Sequence, residues 1–218
     1  MTTYTFTSKA DVAYAQIRQQ ILDGTLEAGS KLAQYDLAAS MGISITPLRE
    51  AIRRLSGEGW IVLDNHRNAR VAALDLEQAR QIFEARRALE PAAIALAAVR
   101  RTDADIARMT AALENLLPVT REWGETAVAA HREVHQALYH SSHSDVMVQM
   151  LDDLWDKSDR YRRIGLQLPP GGEPRTRDFN EHHQLVDLVI AGEADAAAAL
   201  MISHIDHSLT ASALEQEG

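Results

Sequence analysis

Apolar residues recur at helical spacing along nearly the whole chain. Between Lys9 and Leu22, the residues Val12, Ala13, Ile17, Ile21 and Leu22 share one side of a helix, which Asp23 and Gly24 stop. A second helix is predicted over Gln34 to Met41, with Gly42 suited to the left-handed residue that ends it. A third runs from Thr46, with Ser44 in capping position and Pro47 in the first turn, where a missing amide is harmless. Its inner face is Leu48, Ala51, Ile52 and Leu55, so Arg49, Arg53 and, to one side, Arg54 project outward. The period then changes. Trp60 to Leu63 and Ala69 to Leu74 are short apolar stretches around the polar DNHRN, which predicts a hairpin. Two helices around a tight turn, followed by a hairpin, form a winged helix-turn-helix.

From Asp75 onward the pattern predicts about six more helices, broken near Arg101-Thr102, Pro118, the SSHSD at 141–145, the PPGGEP at 169–174 and Ala191-Gly192. The expected architecture is mostly α: a winged helix-turn-helix over 1–74 and an all-helical bundle over 75–218. Pro91 should kink the helix between Gln78 and Arg100, at about 3 kcal/mol unless packing compensates.

Composition narrows the chemistry. The apolar share of 46% is enough for ordinary cores, and an aromatic share of 5% with abundant Ala, Leu, Glu and Arg favours helix. There are no cysteines, so histidine and carboxylate are the only strong metal ligands. No apolar run approaches the roughly 20 residues that span a bilayer, and the N-terminus lacks a basic stretch followed by an apolar core. A soluble cytoplasmic protein is expected.

A net charge of -9 argues against nucleic acid until it is divided along the chain. Residues 1–74 carry +1 and residues 75–218 carry -10, and five of the eight N-terminal cations lie between Arg49 and Arg70. Phosphate contacts need locally placed cations, which this segment supplies. Arginine also donates two hydrogen bonds to guanine in the major groove. The expected DNA-facing set is Ser44, Thr46, Arg49 and Arg53, with His66, Arg67 and Arg70 in or beside the wing. A pair of arginines alone would more simply be solvated charge; the turn, the capped helix and the basic wing together favour DNA.

The other half holds eight of the nine histidines. His131 and His135, four apart, share a face with Val128, Val134 and Leu138, and two imidazoles one turn apart can grip one divalent cation. His182 lies on the Leu185, Val186 and Val189 face of its helix and His204 on that of Leu200 and Met201, so both point inward. Two histidines at this spacing arise often by chance; the inward pair raises the metal reading. His140, His143, His183 and His207 read as surface or hydrogen-bonded residues. Arg86 aligns with Ile82, Leu89 and Ala93, where a buried guanidinium needs an anion: an internal partner such as Glu90, or a ligand. Arg162, in DRYRR, is a weaker candidate anchor and reads more readily as part of a solvated face.

With these residues in view, the chain resembles the GntR family of bacterial transcription regulators, in the FadR-type subgroup with the FCD ligand domain. The matching stretches are ILDGTLEAGSKL, LAASMGIS, TPLREAIRRLSGEGW and the wing HRNARV, then FEARRALEPAAIALAA, HREVHQALYHSS, EHHQLVDLVIAGEADAAAALM and MISHI. The resemblance implies a dimer on a pseudo-palindromic operator, a small organic or sugar acid effector, and a divalent metal in the helical domain. The family's metal pattern falls on His131, His135, His182 and His204, with His131 in place of the usual acidic residue. Such an imidazole set suits zinc, nickel or copper better than manganese or magnesium, and leaves the metal its full charge to attract a carboxylate, with Arg86 as a second anchor. Ile45 stands where the family usually has an arginine, and Asn68-Ala69 where a glycine is common, so an altered operator or weaker binding is expected. Two other readings remain: a metal-sensing regulator, and a histidine-ligated hydrolase. The latter lacks a general base beside HREVH, because Glu133 faces away.

Overall fold

The computed structural model describes residues 8–64, 68–118, 124–167 and 176–207, with only the backbone of 163–167. It divides into two compact units, Met1–Asp75 and Leu76–Gly218.

In the first unit, α1 (Lys9–Leu22) begins with a capping box in which Ser8 and Asp11 satisfy each other's backbone N–H groups. After α2 (Gln34–Ser40), Gly42 adopts φ 64°, the left-handed conformation that turns the chain into α3 (Ile45–Gly57). Ser44 occupies the N-cap of α3, but its side chain makes no capping hydrogen bond. Strands β1 (Ile61–Leu63) and β2 (Ala69–Val71) pair antiparallel, with Val62 opposite Arg70. The core gathers Ile17, Ile21, Leu48, Ile52, Leu55, Trp60, Ile61 and Val71, so the wing and the helices share one apolar centre.

In the second unit, α4 (Leu76–Arg100) packs against α6 (Gly124–His140), α7 (Asp145–Gln167), α8 (Thr176–Ala191) and α9 (Ala194–Asp206). It continues through Pro91, which is itself buried. Helix α5 (Asp103–Glu114) starts at a second capping box, Thr102 with Asp105. Between α8 and α9, Gly192 has φ 86°, and a Cβ there would come within 3.2 Å of the Arg101 guanidinium, which donates to the Ile190 carbonyl. Six helices follow Leu74 among the described residues, as the periodicity predicts. The predicted break at 169–174 lies outside the described residues.

The main core of this unit joins Ile94, Met109, Val134, Leu138, Leu185, Val189, Met201 and Ile205. Leu138 is fully buried there. Leu138→Ala should destabilise the protein by about 2–5 kcal/mol, read as a lower urea midpoint for the transition of this unit by circular dichroism.

Candidate functional site

Helix α3 presents Thr46 and Arg53 to solvent and Arg49 half-buried, its Nε 3.4 Å from Gln34 Oε1. With Ile52, Leu63 and Asp64, these arginines and Gln34 line a recess of about 270 Å³ between the helices and the wing. Arg70 is exposed on β2, and Ser44 is exposed just before α3. His66 and Arg67 lie outside the described residues. Arg54 has a different task. Its Nη1 bonds Asp11 Oδ1 at 2.7 Å and its guanidinium lies 4.3 Å from the Tyr14 ring centre, while the Tyr14 hydroxyl donates to Glu58 at 2.7 Å. Arg54 thereby joins α3 to α1. Ile45 is half-buried against the core of this unit.

In the second unit, α6, α8 and α9 bring His131, His135, His182 and His204 together, one ligand nitrogen of each within 4.8 Å of the others. All four are buried. His135 Nε2 is 3.1 Å from His182 Nε2 and 3.2 Å from His204 Nε2. Each of these three rings spends its other nitrogen on an oxygen: Nδ1 of His135 on Glu90 Oε2 at 3.0 Å, of His182 on the Asp178 carbonyl at 2.6 Å, of His204 on Glu181 Oε2 at 2.9 Å. Because the oxygens only accept, Nδ1 donates to them, and Nε2 presents a lone pair wherever the ring is neutral. The lowered pKa values of His135 and His182 keep those two rings neutral, so their Nε2 atoms, 3.1 Å apart, face each other as acceptors.

Burial drives His135 down to about 3, despite the Glu90 carboxylate beside it, and His182 down to about 4, with His204 adding to the effect. Burial, then the positive Arg162, hold His131 well below its ordinary value. At neutral pH these rings are neutral, the form that binds metal. The spacing fits as well, since two nitrogens on one tetrahedral zinc lie roughly 3.3 Å apart. Partners that orient ligand histidines through the second ring nitrogen are the usual companions of a metal site.

Glu90 has no solvent exposure, and burial alone would raise its pKa. Arg86 and His135 outweigh that and hold it at about 2. Arg86 Nε donates to Glu90 Oε1 at 2.6 Å, its Nη1 donates to Ser158 Oγ at 2.9 Å, and its guanidinium carbon sits 3.8 Å from the Trp155 ring centre. Of the two partners open to Arg86 from sequence, the internal carboxylate is the one observed.

Arg162 departs from its expected solvated face. It is 3% exposed, its Nη1 donates to Asp159 Oδ1 at 3.0 Å, and its Nη2 is buried without a hydrogen-bond partner among the described residues. The stripe Trp155, Ser158, Asp159 and Arg162 occupies one face of α7, and the charged run around Arg162 hid it in the sequence. Trp155 Nε1 and His131 Nδ1 are also buried without a hydrogen-bond partner among the described residues. The Trp155 ring lies 4.5 Å from that of His135 and 5.9 Å from that of His131, so the unpartnered donors border the histidine cluster. Sequence reading also missed Asp178 and Glu181; the signal was Asp178 one turn before the inward His182.

The FCD domain matches residues 81–207, and the gntR family of bacterial regulatory proteins matches residues 9–71. The transcriptional repressor GlaR of Escherichia coli is 27% identical over 202 residues, covering 88% of this chain and 90% of its own. The regulator McbR of the same organism is 30% identical over 140 residues, which are 64% of this chain and 63% of its own. The solved structure of E. coli McbR has the same fold, with a TM-score of 0.78 over 96% of this chain and 98% of that one, at 23% identity. A winged helix-turn-helix joined to an FCD domain places the chain in the GntR family of bacterial transcription regulators, in its FadR-type subgroup.

Proposed function

We propose that this regulator binds a pseudo-palindromic operator as a dimer, and that a small carboxylate held at a divalent cation in the FCD domain controls its DNA affinity. Thr46, Arg49, Arg53, Arg70 and the wing residues His66 and Arg67 carry the DNA contacts, with Ser44 at the turn. His131, His135, His182 and His204 hold the cation, zinc first and nickel next. The carrying observation is the approach of His182 and His204 Nε2 to His135 Nε2 at 3.1 and 3.2 Å, beside an Arg162 whose Nη2 has no hydrogen-bond partner among the described residues. A cation satisfies the lone pairs, and a carboxylate added as a further ligand, expanding the coordination beyond four, satisfies Arg162 Nη2. Arg86 supports from behind: it fixes Glu90, which fixes His135. A regulator that sensed metal alone would leave Arg162 Nη2 and Trp155 Nε1 without purpose, and these two donors favour an organic acid effector. The related proteins are named as transcription regulators.

Fluorescence anisotropy with DNA from the intergenic regions flanking the gene tests this reading. Binding should weaken steeply with salt and change on adding sugar acids, hydroxy acids or dicarboxylates to metal-loaded protein. No salt-sensitive binding to any of these fragments would sink it. Arg53→Ala should lower operator affinity by about 5- to 100-fold. Arg162→Met should keep its metal, measured by mass spectrometry, and lose the thermal shift by which a bound acid at 100 times its dissociation constant adds about 2.7 kcal/mol.

The metal-free protein should respond to pH in a defined direction. The folded-state values of His135 and His182 lie below the ordinary 6.5 of the unfolded chain. Between about 6.5 and 4 the unfolded chain therefore binds protons that the folded one refuses, and stability falls as pH falls. Melting of chelator-treated protein should move to lower temperature from pH 7 toward pH 5; a flat or rising trend contradicts the assignment.

A further inference from the structure

We propose that Asp178 is an oxygen ligand of the cation, joining the four histidines from α8 one helical turn before His182; this rests on the metal reading above. Its Oδ2 lies 3.6 Å from His131 Nε2 and 3.8 Å from His182 Nδ1, and its Oδ1 lies 3.9 Å from His204 Nε2. One carboxylate thus approaches three of the four imidazoles. Its own backbone carbonyl already receives the His182 Nδ1 proton, so the turn that orients a ligand ring also carries the carboxylate.

Charge selects the same residue. Four imidazoles bring no negative charge to a buried divalent cation, and an uncompensated buried charge is costly. The two other carboxylates at the cluster are committed. Glu90 is held by Arg86 and His135, and Glu181 by Arg177 and His204. Asp178, with a side chain 16% exposed, stands 3.6–3.9 Å from the imidazoles. An oxygen beside the imidazoles changes the chemistry of the site. The set becomes mixed nitrogen and oxygen, admitting nickel, cobalt and manganese alongside zinc. The carboxylate also cancels one unit of the cation's charge.

The test uses the full chain, stripped with chelator and titrated with Co(II) and Zn(II) against a competing chelator. Wild-type protein should take up one ion per chain, and Asp178→Asn, which keeps shape and removes charge, should weaken Co(II) binding at least tenfold and alter the visible bands of bound Co(II), which report coordination geometry. Metal-free Asp178→Asn should melt as the wild type does; if it does not fold, Asp178→Ser is read by the same two measurements. Wild-type affinity and an unchanged Co(II) spectrum in the variant overturn the Asp178 assignment and leave the metal reading standing. Failure of the wild type to bind either ion overturns both.

Discussion

The neutral His135 and His182 rings bring two Nε2 lone pairs within 3.1 Å of each other, with His204 Nε2 3.2 Å from the first, and such lone pairs repel unless something electropositive lies between them. The FCD unit is organised to hold them in that position. His135 comes from α6, His182 from α8 and His204 from α9, and each ring is locked by a different acceptor: a carboxylate on α4, a main-chain carbonyl on α8 and a carboxylate on α8. Glu90 is the costliest of these supports, because it is a fully buried anion. Arg86 neutralises it and in turn lies over Trp155, so the polar centre and the second apolar cluster of Tyr139, Leu151 and Trp155 stabilise each other. Removing one member would strand a buried charge, which is why the arrangement is all-or-none.

The DNA-binding unit solves a different problem, that of keeping a small helical domain rigid while leaving arginines exposed. The aliphatic core holds α3 from below, and Arg54 ties it to α1 from the side through Asp11 and Tyr14. Three arginines of α3 thus divide the work. Two face outward along the recess, and one is used for internal bracing. Ile45, where a further cation was expected by resemblance, adds to that core.

Sequence periodicity located the helices well because amphipathic repetition extends over many residues and tolerates local noise. The four histidines were legible for the same reason: each falls on an apolar stripe of its own helix, and buried polar residues on such stripes stand out. What connects them was not legible. Arg162 sits in a run of charged residues, and nothing local shows that Asp159, Arg160 and Arg162 are all buried; α4 and α6 packing against α7 decides it. Asp178 and Glu181 were hidden because their role depends on α9 coming to rest beside α8, a contact between segments with separate patterns. Ser44 shows the opposite failure. Its place at the start of α3 was readable, yet its hydroxyl takes no part in the cap.

The positions of the histidines in the chain carry one more implication. His135 lies 47 residues before His182 and 69 before His204, so an ion shared by them closes two long loops at once. Cross-links over such lengths act mainly on the unfolded chain, by removing conformations it would otherwise explore. Metal supply would then govern how long each copy of the regulator survives unfolding and proteolysis, as well as what it senses.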